Sequence, residues 1–551
     1  MKCDINNTID KAKNFLLQRQ KSDGSWLGEL SSSAVATGPA IMALKIADAT
    51  EYQENIQRGA EWLISSQHPD GGWGDAVTDP SNINSTSLAV AALYMICRSE
   101  YGGAVKKGLK LLDSWGGSNA ICDKNHTTLS GVCRSIWCIA GLLEWRQTRS
   151  LPLEIMLLPN GLRKKISITL PGYLPLAILR NKEDPPNIIR RIPNRLGEFL
   201  AMRFMKRIQA PNGSYEESPL LVALAAMGLH LSGYQNSVVR RGINYLLDTQ
   251  KEDGSWAVDR DLEISNTENS ILALRELGED LSAPRFQRTL KWLLERQINH
   301  RFGATGAPSG GFSWAMPGGW PDCDDTSYSV KTLRALGEPI DSPAVKSAKN
   351  FLLRMQNSDG GWGTFVRNVN LPFDHSCPYV TAHAISGLLE AGLTAKFKPL
   401  KHAVKYLSQV QLPDGSFQSI WFRNYTCGTA FVVGALCEMG FSSHQIVKRA
   451  STWLMKNQNV DGGWAGTKGQ LSTVEETSWA LLGLLLTESD TFKRSIHRGI
   501  QWLIEHQNQK GNWNPSVIGL YFSSLWYSDS YYPISFALKA LARYRSQEEV
   551  Q

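Results

Sequence analysis

Along the chain, an aromatic-Leu pair, a polar helix end, a glycine turn and a second aromatic recur as a unit, followed by a largely apolar run. The unit is visible in "AKNFLLQRQKSDGSW" (12–26), "GAEWLISSQHPDGGW" (59–73), "GINYLLDTQKEDGSW" (242–256) and "AKNFLLRMQNSDGGW" (348–362). It returns as "AVKYLSQVQLPDGSF" (403–417), "ASTWLMKNQNVDGGW" (450–464) and "GIQWLIEHQNQKGNW" (499–513). A glutamine stands five residues after the first aromatic and six before the second, at positions 20, 67, 250, 356, 411, 458 and 507. A weaker copy, "TLKWLLERQ", supplies Gln297. Each unit predicts a helix ending at the Gln, then a turn centred on Gly, which reaches left-handed backbone conformations cheaply. A second helix such as "STSLAVAALYMI" or "TSWALLGLLL" follows. Repeated helix pairs of this length predict an α/α array, open or closed, in which the Gln amide and Trp ring pin the end of one helix to the next.

The repeat changes how composition is read. Eighteen tryptophans in 551 residues are many, and the repeat accounts for their regular placement. The length allows two or more domains, and 42% hydrophobic residues is ordinary for a soluble globular protein. Nine cysteines, an odd number without a CxxC pair, fit a reduced intracellular protein better than a disulfide framework or a structural zinc site. The opening "MKCDINNTIDKAKNFLLQRQ" mixes charges through every turn, unlike a signal peptide. No run approaches the ~20 apolar residues of a membrane span. A cytoplasmic protein is expected, or one peripheral on the cytoplasmic membrane.

Net charge is +7 and unevenly spread. Between Arg163 and Arg207 eleven basic residues face only Glu183, Asp184 and Glu198, a local balance of 11 − 3 = +8. No nucleic-acid motif accompanies them, so nucleic acid is not an expected partner. In "LPLEIMLLPNGLRKKISITLPGYLPLAIL" apolar patches lie beside basic residues, the pattern of an interfacial helix on anionic lipid. The alternative is an amphipathic helix packed on protein.

The sharpest chemical signal is "GGWPDCDDTSYSV" (318–330), with Asp322, Asp324 and Asp325 within four positions. Alone it reads as a solvated turn or helix start. If buried, carboxyls so crowded cannot all ionise, and one keeps its proton at neutral pH. Such a group titrates as a cluster.

With the glutamine repeat, "PDCDDT", "CPYVTAHAISGLLEAG" (377–392) and "RNYTCGTAFVVGAL", the chain resembles class II terpene cyclases of the squalene-hopene and oxidosqualene cyclase type. The likeness runs over nearly the whole length and is weakest between about 100 and 240. The chain is short for that family and looks more like its compact bacterial meroterpenoid and diterpenoid branch, which includes merosterolic acid synthase. The resemblance implies an all-α protein of two α/α barrels. Residues 1–24 would form a strip of the catalytic barrel, 25–258 an inserted second barrel with a membrane and substrate-access region at 151–207, and 259–551 the catalytic barrel.

The resemblance also implies roles. Asp324 is the proton donor to a terminal alkene or epoxide, Asp322 and Asp325 orient it and tune its acidity, and His383 is its hydrogen-bonding partner. Trp314, Phe365 and Trp421 line the cavity and stabilise carbocations with their ring faces. The aromatic tail "YFSSLWYSDSYYP" (521–533) adds candidates in Tyr521, Phe522, Trp526 and Tyr531. Four positions depart from the family. Cys427 replaces a tyrosine linked to the histidine, Asn266 and Tyr379 replace two acids, and Ser265 replaces a cavity tryptophan, which implies a reshaped pocket.

No cofactor and no metal are expected. The expected substrate is a linear polyprenyl chain on a polar aromatic acid, cyclised to a meroterpenoid. The alternatives are geranylgeranyl or farnesyl diphosphate, or squalene. For a diphosphate, "GDAVTDPSN" (74–82) offers Asp75 and Asp79 as a magnesium candidate. Two other classes share the α/α architecture. A zinc prenyltransferase-like barrel would use Asp322, Cys323 and His383, although its Asp and Cys are normally one residue apart. A non-catalytic scaffold would use none of these residues. Oligomeric state is not legible.

Overall fold

The computed structural model describes residues 2–96, 100–123, 129–148, 152–163, 170–522 and 525–550. Lys164 and Lys165 of the basic segment lie outside the described residues. Among the described residues the fold is all-α apart from one short hairpin, and the helices form two closed α/α barrels.

In the first barrel six inner helices each touch the next, and the last touches the first. They are Glu263–Glu276, Cys323–Ala335, Pro378–Glu390, Thr426–Glu438, Val474–Leu485 and Tyr532–Val550. These helices are buried on nearly every side; in Val474–Leu485 even Glu475 and Glu476 are fully covered. A helix apolar all round belongs in the interior of a layered array. The six outer helices are amphipathic instead. Pro343–Met355 buries Val345, Ala348, Phe351, Leu352 and Met355 on one stripe. It starts with Ser342 as N-cap, accepting from Val345 N at 3.3 Å, and with proline in the first turn.

Each glutamine ties two outer helices. Gln356 Nε2 donates to Gly360 O in its own turn and to Pro399 O at the start of helix Lys398–Val410, both at 2.8 Å. Gln411 reaches Ile446 O at 3.0 Å, Gln458 reaches Ser495 O at 2.8 Å and Gln507 reaches Thr8 O at 2.9 Å. Gln20 then reaches Thr289 Oγ1 at 3.1 Å, and Gln297 reaches Ala344 O at 2.9 Å, which returns to the starting helix. The six bonds form a closed belt, with N-terminal helix Lys2–Gln18 as the link between helices Lys493–Glu505 and Pro284–Leu294. The tryptophans act within a unit: Trp362 Nε1 donates to Leu352 O at 2.7 Å, and Trp26, Trp73, Trp256, Trp464 and Trp513 each repeat this bond to the carbonyl ten residues earlier. Gly360 shows why the turn is glycine. Its φ is +96°, and an added Cβ would lie 2.6 Å from His402 O.

The second barrel has five inner helices, Ala34–Asp48, Ile83–Ile96, Ser130–Ile139, Leu170–Glu183 and Pro219–Leu231, again in a closed ring of contacts. It contains a unit that the sequence reading missed. Gln209 donates to Gly213 O and Val238 O, both at 2.9 Å, and Tyr215 Oη donates to Met205 O at 3.1 Å in place of the tryptophan. Among the described residues no helix is long and apolar enough to cross a membrane.

The hairpin pairs Gly519–Tyr521 with Leu525–Tyr527, placing Leu520 opposite Trp526. It docks on the loop that carries Trp421, through Leu520 N to Trp421 O at 2.9 Å. This brings the aromatic tail to the mouth of the first barrel.

Candidate active site

Asp322 ends an extended segment and caps helix Cys323–Ala335 by accepting from Asp325 N at 2.8 Å. Asp324 and Asp325 fall in the first helical turn, so local capping rules alone draw all three carboxyls to one helix end. The helix dipole there favours their ionised forms. At Asp322 and Asp325 burial and mutual repulsion oppose it and win. Burial, then the charges of Asp325 and Asp324, hold Asp322 far above the ordinary carboxylate range. Asp325 is pushed up to about 7 by burial and by Asp324, against a 2.6 Å hydrogen bond donated by Ser265 Oγ. A proton therefore resides in this cluster at neutral pH.

Asp324 differs from its neighbours in access. Its side chain is 20% exposed, while that of His383 is 3% exposed and Asp322 is buried. One oxygen, Oδ1, is hydrogen-bonded to His383 Nδ1. The imidazole comes from helix Pro378–Glu390 and sits among Tyr379, Tyr328 and Phe431, at centroid distances of 4.2, 4.6 and 4.6 Å. Its Nε2 is buried without a partner. The imidazole nitrogen at Oδ1 holds the carboxyl in place at the edge of the cavity.

Asp324 opens into a cavity of about 780 Å³, counting its mouth. Trp314, Phe365, Trp421, Tyr521 and Phe522 line it, with ring-to-ring distances of 5.8 Å for Trp314–Phe365 and for Phe365–Trp421. Trp421 is fixed by Nε1 donating to Thr364 Oγ1 at 2.8 Å, and Trp314 by Nε1 donating to Asp259 Oδ2 at 2.9 Å. Ser265 lines the same wall and is also the hydroxyl bonded to Asp325.

Two sequence candidates lie elsewhere. Trp526 and Tyr531 are not in the cavity wall; Tyr527 and Tyr532, one position later in each case, line it together with Phe536. The hairpin register sets this, because alternate residues of a strand face opposite sides, and Trp526 N is held by Asp75 Oδ2 at 3.0 Å. Cys427 is fully buried beside Asp324 without reaching the cavity, and burial pushes its thiol well up. Asp75 has structural partners on both oxygens, Oδ1 from Asn82 and Ser85 and Oδ2 from Trp526, so it is a clamp between the barrels. Cys323 is fully buried with its thiol pushed far up, the reverse of a zinc thiolate.

Sequence reasoning missed Glu268 and Lys539. Glu268 lines the cavity and accepts from Ser329 Oγ, and burial followed by the charge of Asp325 holds it well above its ordinary range. Lys539 is buried with Nζ donating to Asn269 Oδ1 at 2.8 Å, and burial pulls it down to about 7. Both signals stood in the sequence, as charged residues inside the apolar inner-helix runs "NTENSILAL" and "ISFALKALARY".

Two closed α/α barrels, with a proton-holding cluster of carboxyls beside an aromatic cavity, define a class II terpene cyclase. The squalene-hopene cyclase C-terminal domain matches residues 263–546, its N-terminal domain residues 9–169, and the prenyltransferase alpha-alpha toroid domain residues 188–313. The first match alone spans more than half of the chain, and the chain belongs to the squalene-hopene cyclase family. A squalene--hopene cyclase of Bradyrhizobium diazoefficiens is 27% identical, with 98% of this chain and 95% of the relative covered. That of Alicyclobacillus acidocaldarius is 26% identical, with 98% of each covered. The first alignment runs over 647 positions against 551 residues here, so it bridges gaps in this chain. Among solved structures, ent-copalyl diphosphate synthase from Streptomyces platensis shares the fold at a TM-score of 0.63 and 19% identity, over 98% of this chain and 99% of that one.

Proposed function

We propose that this cyclase protonates the terminal alkene of a linear polyprenyl chain through Asp324 Oδ2 and closes the resulting cation into fused rings. The observation that supports this most is the Asp324–His383 pair. The histidine holds one oxygen from behind while the other side of the carboxyl meets an aromatic cavity. An alkene is a very weak base, so the acid must be presented dry and must leave a stabilised anion. Asp322 and Asp325 keep a proton in the cluster; His383 and the helix N-terminus stabilise the carboxylate left on Asp324. Ring faces worth roughly 0.5–2 kcal/mol each then stabilise successive cations, and the enclosed wall excludes water that would quench them.

The head group follows from charge. Among the described residues lining the cavity none is Lys or Arg, whereas Asp259, Glu268, Asp322, Asp324 and Asp325 are present. A carboxylate or diphosphate would meet acids and no counter-charge. The polyprenylated aromatic expected from the sequence fits as a neutral phenol rather than as an aromatic acid.

Incubating the enzyme with a geranylgeranyl phenol and following cyclised product by mass and retention checks the reading. Asp324→Asn is expected to lose about a thousandfold or more of turnover with an unchanged melting temperature. His383→Ala is expected to lose less, since it removes a partner and not the proton. A folded Asp324→Asn protein retaining a tenth of the activity would overturn the assignment.

The basic segment serves a different purpose. On helix Ile188–Ile208, Ile188, Ile189, Ile192, Leu196 and Phe199 are exposed on one flank at 77, 83, 80, 50 and 56%, beside exposed Arg191, Arg195, Arg203, Lys206 and Arg207. An apolar stripe of that size flanked by cations supports docking on an anionic lipid surface.

A further inference from the structure

The cavity carries a second polar site, whose strong electrostatic neighbours are not those of the aspartate cluster. Asp259 lies in the loop after Trp256, is 1% exposed and lines the cavity. Each of its oxygens accepts one hydrogen bond, Oδ1 from Arg260 N at 2.8 Å and Oδ2 from the ring of Trp314 at 2.9 Å. Its charged neighbours are Glu217 and Asp261, whereas those of Asp325 are Asp324 and Asp322. The two acid groups are thus separate, with Tyr527 of the hairpin close enough to feel both.

Two buried polar groups here are left over. The hydroxyl of Tyr521, a cavity-lining residue 8% exposed, lies near Ser218 but has no hydrogen bond of good geometry. Glu216 is 1% exposed, stands beside Asp259 and Tyr521, and its Oε1 has no partner. A buried donor and a buried acceptor without partners are each costly to the fold unless a ligand satisfies them. The backbone is also strained to place them: Glu216 and Glu217 are consecutive non-glycine residues in the left-handed region, at φ of 57° and 53°. Glu217 holds that turn, accepting from Gly318 N at 2.6 Å, from Asn212 and Ser214 at 3.1 Å, and pairing with Arg260.

We propose that Asp259 and Tyr521, backed by Glu216, form a recognition site for a neutral hydroxyl on the head of the substrate, which donates to the Asp259 carboxyl and accepts from Tyr521 Oη. This rests on the reading of the enzyme as a cyclase of polyprenyl chains and names the part of the substrate held away from Asp324. The chemistry is selective. A methyl ether cannot donate to Asp259, and a carboxylate or diphosphate brings an unpaired charge into a buried site where burial holds Asp259 and Glu216 well above the ordinary carboxylate range and no cation among the described residues lines the wall. A hydroxyl satisfies both sides.

The test separates binding from turnover. In the Asp324→Asn protein, binding of a geranylgeranyl phenol, its methyl ether, and the same phenol bearing a ring carboxylate is followed by quenching of tryptophan fluorescence. The phenol is expected to bind about 10- to 100-fold more tightly than the ether or the carboxylate. Adding Asp259→Leu or, separately, Tyr521→Phe is expected to reduce that preference to within about threefold while ether binding persists. The second variant keeps the test available should the first not fold. Equal binding of phenol and ether, tighter binding of the carboxylate, or no binding of any of the three overturns the proposal. Failure of the wild-type enzyme to cyclise the phenol despite the binding preference would count against the cyclisation of such a chain and not against the site.

Discussion

The hydroxyl of Ser265, in the cavity wall, donates to Asp325 Oδ1 at 2.6 Å. A hydrogen bond to the charged form lowers a carboxyl pKa, and burial together with Asp324 raises it; for Asp325 the balance lies at about 7. If turnover needs the proton held by this cluster, kcat/KM is level at acid pH and falls as pH rises through about 7, where the cluster ionises. Removing the hydroxyl in Ser265→Ala takes away the larger of the two hydrogen bonds that oppose burial, so Asp325 ionises later and the alkaline limb moves to higher pH. A pH–rate profile of the two proteins reads this directly; an alkaline limb that stays in place, or moves to lower pH, refutes the role given to Ser265. The linkage to stability has the same sign. A folded pKa above the unfolded value of 3.8 favours the fold at acid pH, and that contribution is lost as pH rises through about 7.

The helical units set the scale at which the sequence is most informative. Glutamine, glycine and tryptophan recur at fixed offsets because one amide must meet two carbonyls and one indole must meet a third, so the unit is written in the chain. What the unit bonds to is not. Gln507 finds Thr8, which lies 499 residues away, and no local pattern announces that pairing. Gln209 escaped notice because Tyr215 performs the bond of the absent tryptophan with a hydroxyl. At the site, the three aspartates and His383 were legible as a motif, but the phase of the aromatic tail was not. The register of a hairpin is fixed by its docking on Trp421, and a shift of one residue exchanges Trp526 for Tyr527. The belt itself is testable. Gln507→Leu leaves Thr8 O and Gly511 O without their donor, where the amide reached 2.9 and 3.1 Å. A loss of about 2–3 kcal/mol in urea unfolding is expected, with earlier proteolysis of helix Lys2–Gln18. A midpoint unchanged from wild type would show that the seam does not depend on this bond.

For the whole molecule, charge and apolar exposure fall on the same place. The chain carries +7, the segment from Arg163 to Arg207 accounts for all of it by the count above, and the five most exposed apolar residues of helix Ile188–Ile208 share that segment. A protein that only needed solubility would separate the two. The helix cannot be pressed closer to its barrel for cover, because Gly197 already lets it approach so tightly that a Cβ would lie 2.3 Å from Leu153 O. A polyprenyl substrate is itself dissolved in lipid, so a cyclase resting on the bilayer meets it without crossing water. Burying each isoleucine contributes about 1.5–3 kcal/mol, and each nearby cation about 1 kcal/mol on an anionic surface. The apolar part should persist in salt that screens the rest, since the Debye length is only about 10 Å at 0.1 M. Co-flotation with phosphatidylserine vesicles is therefore expected at low salt and, weakened, at 0.5 M. The double variant Ile189→Glu, Ile192→Glu is expected to stay in solution under both conditions and to turn over detergent-solubilised substrate at the wild-type rate, because neither residue lines the cavity. Equal flotation of the variant, or no flotation of the wild-type protein at low salt, would remove this face as the lipid contact.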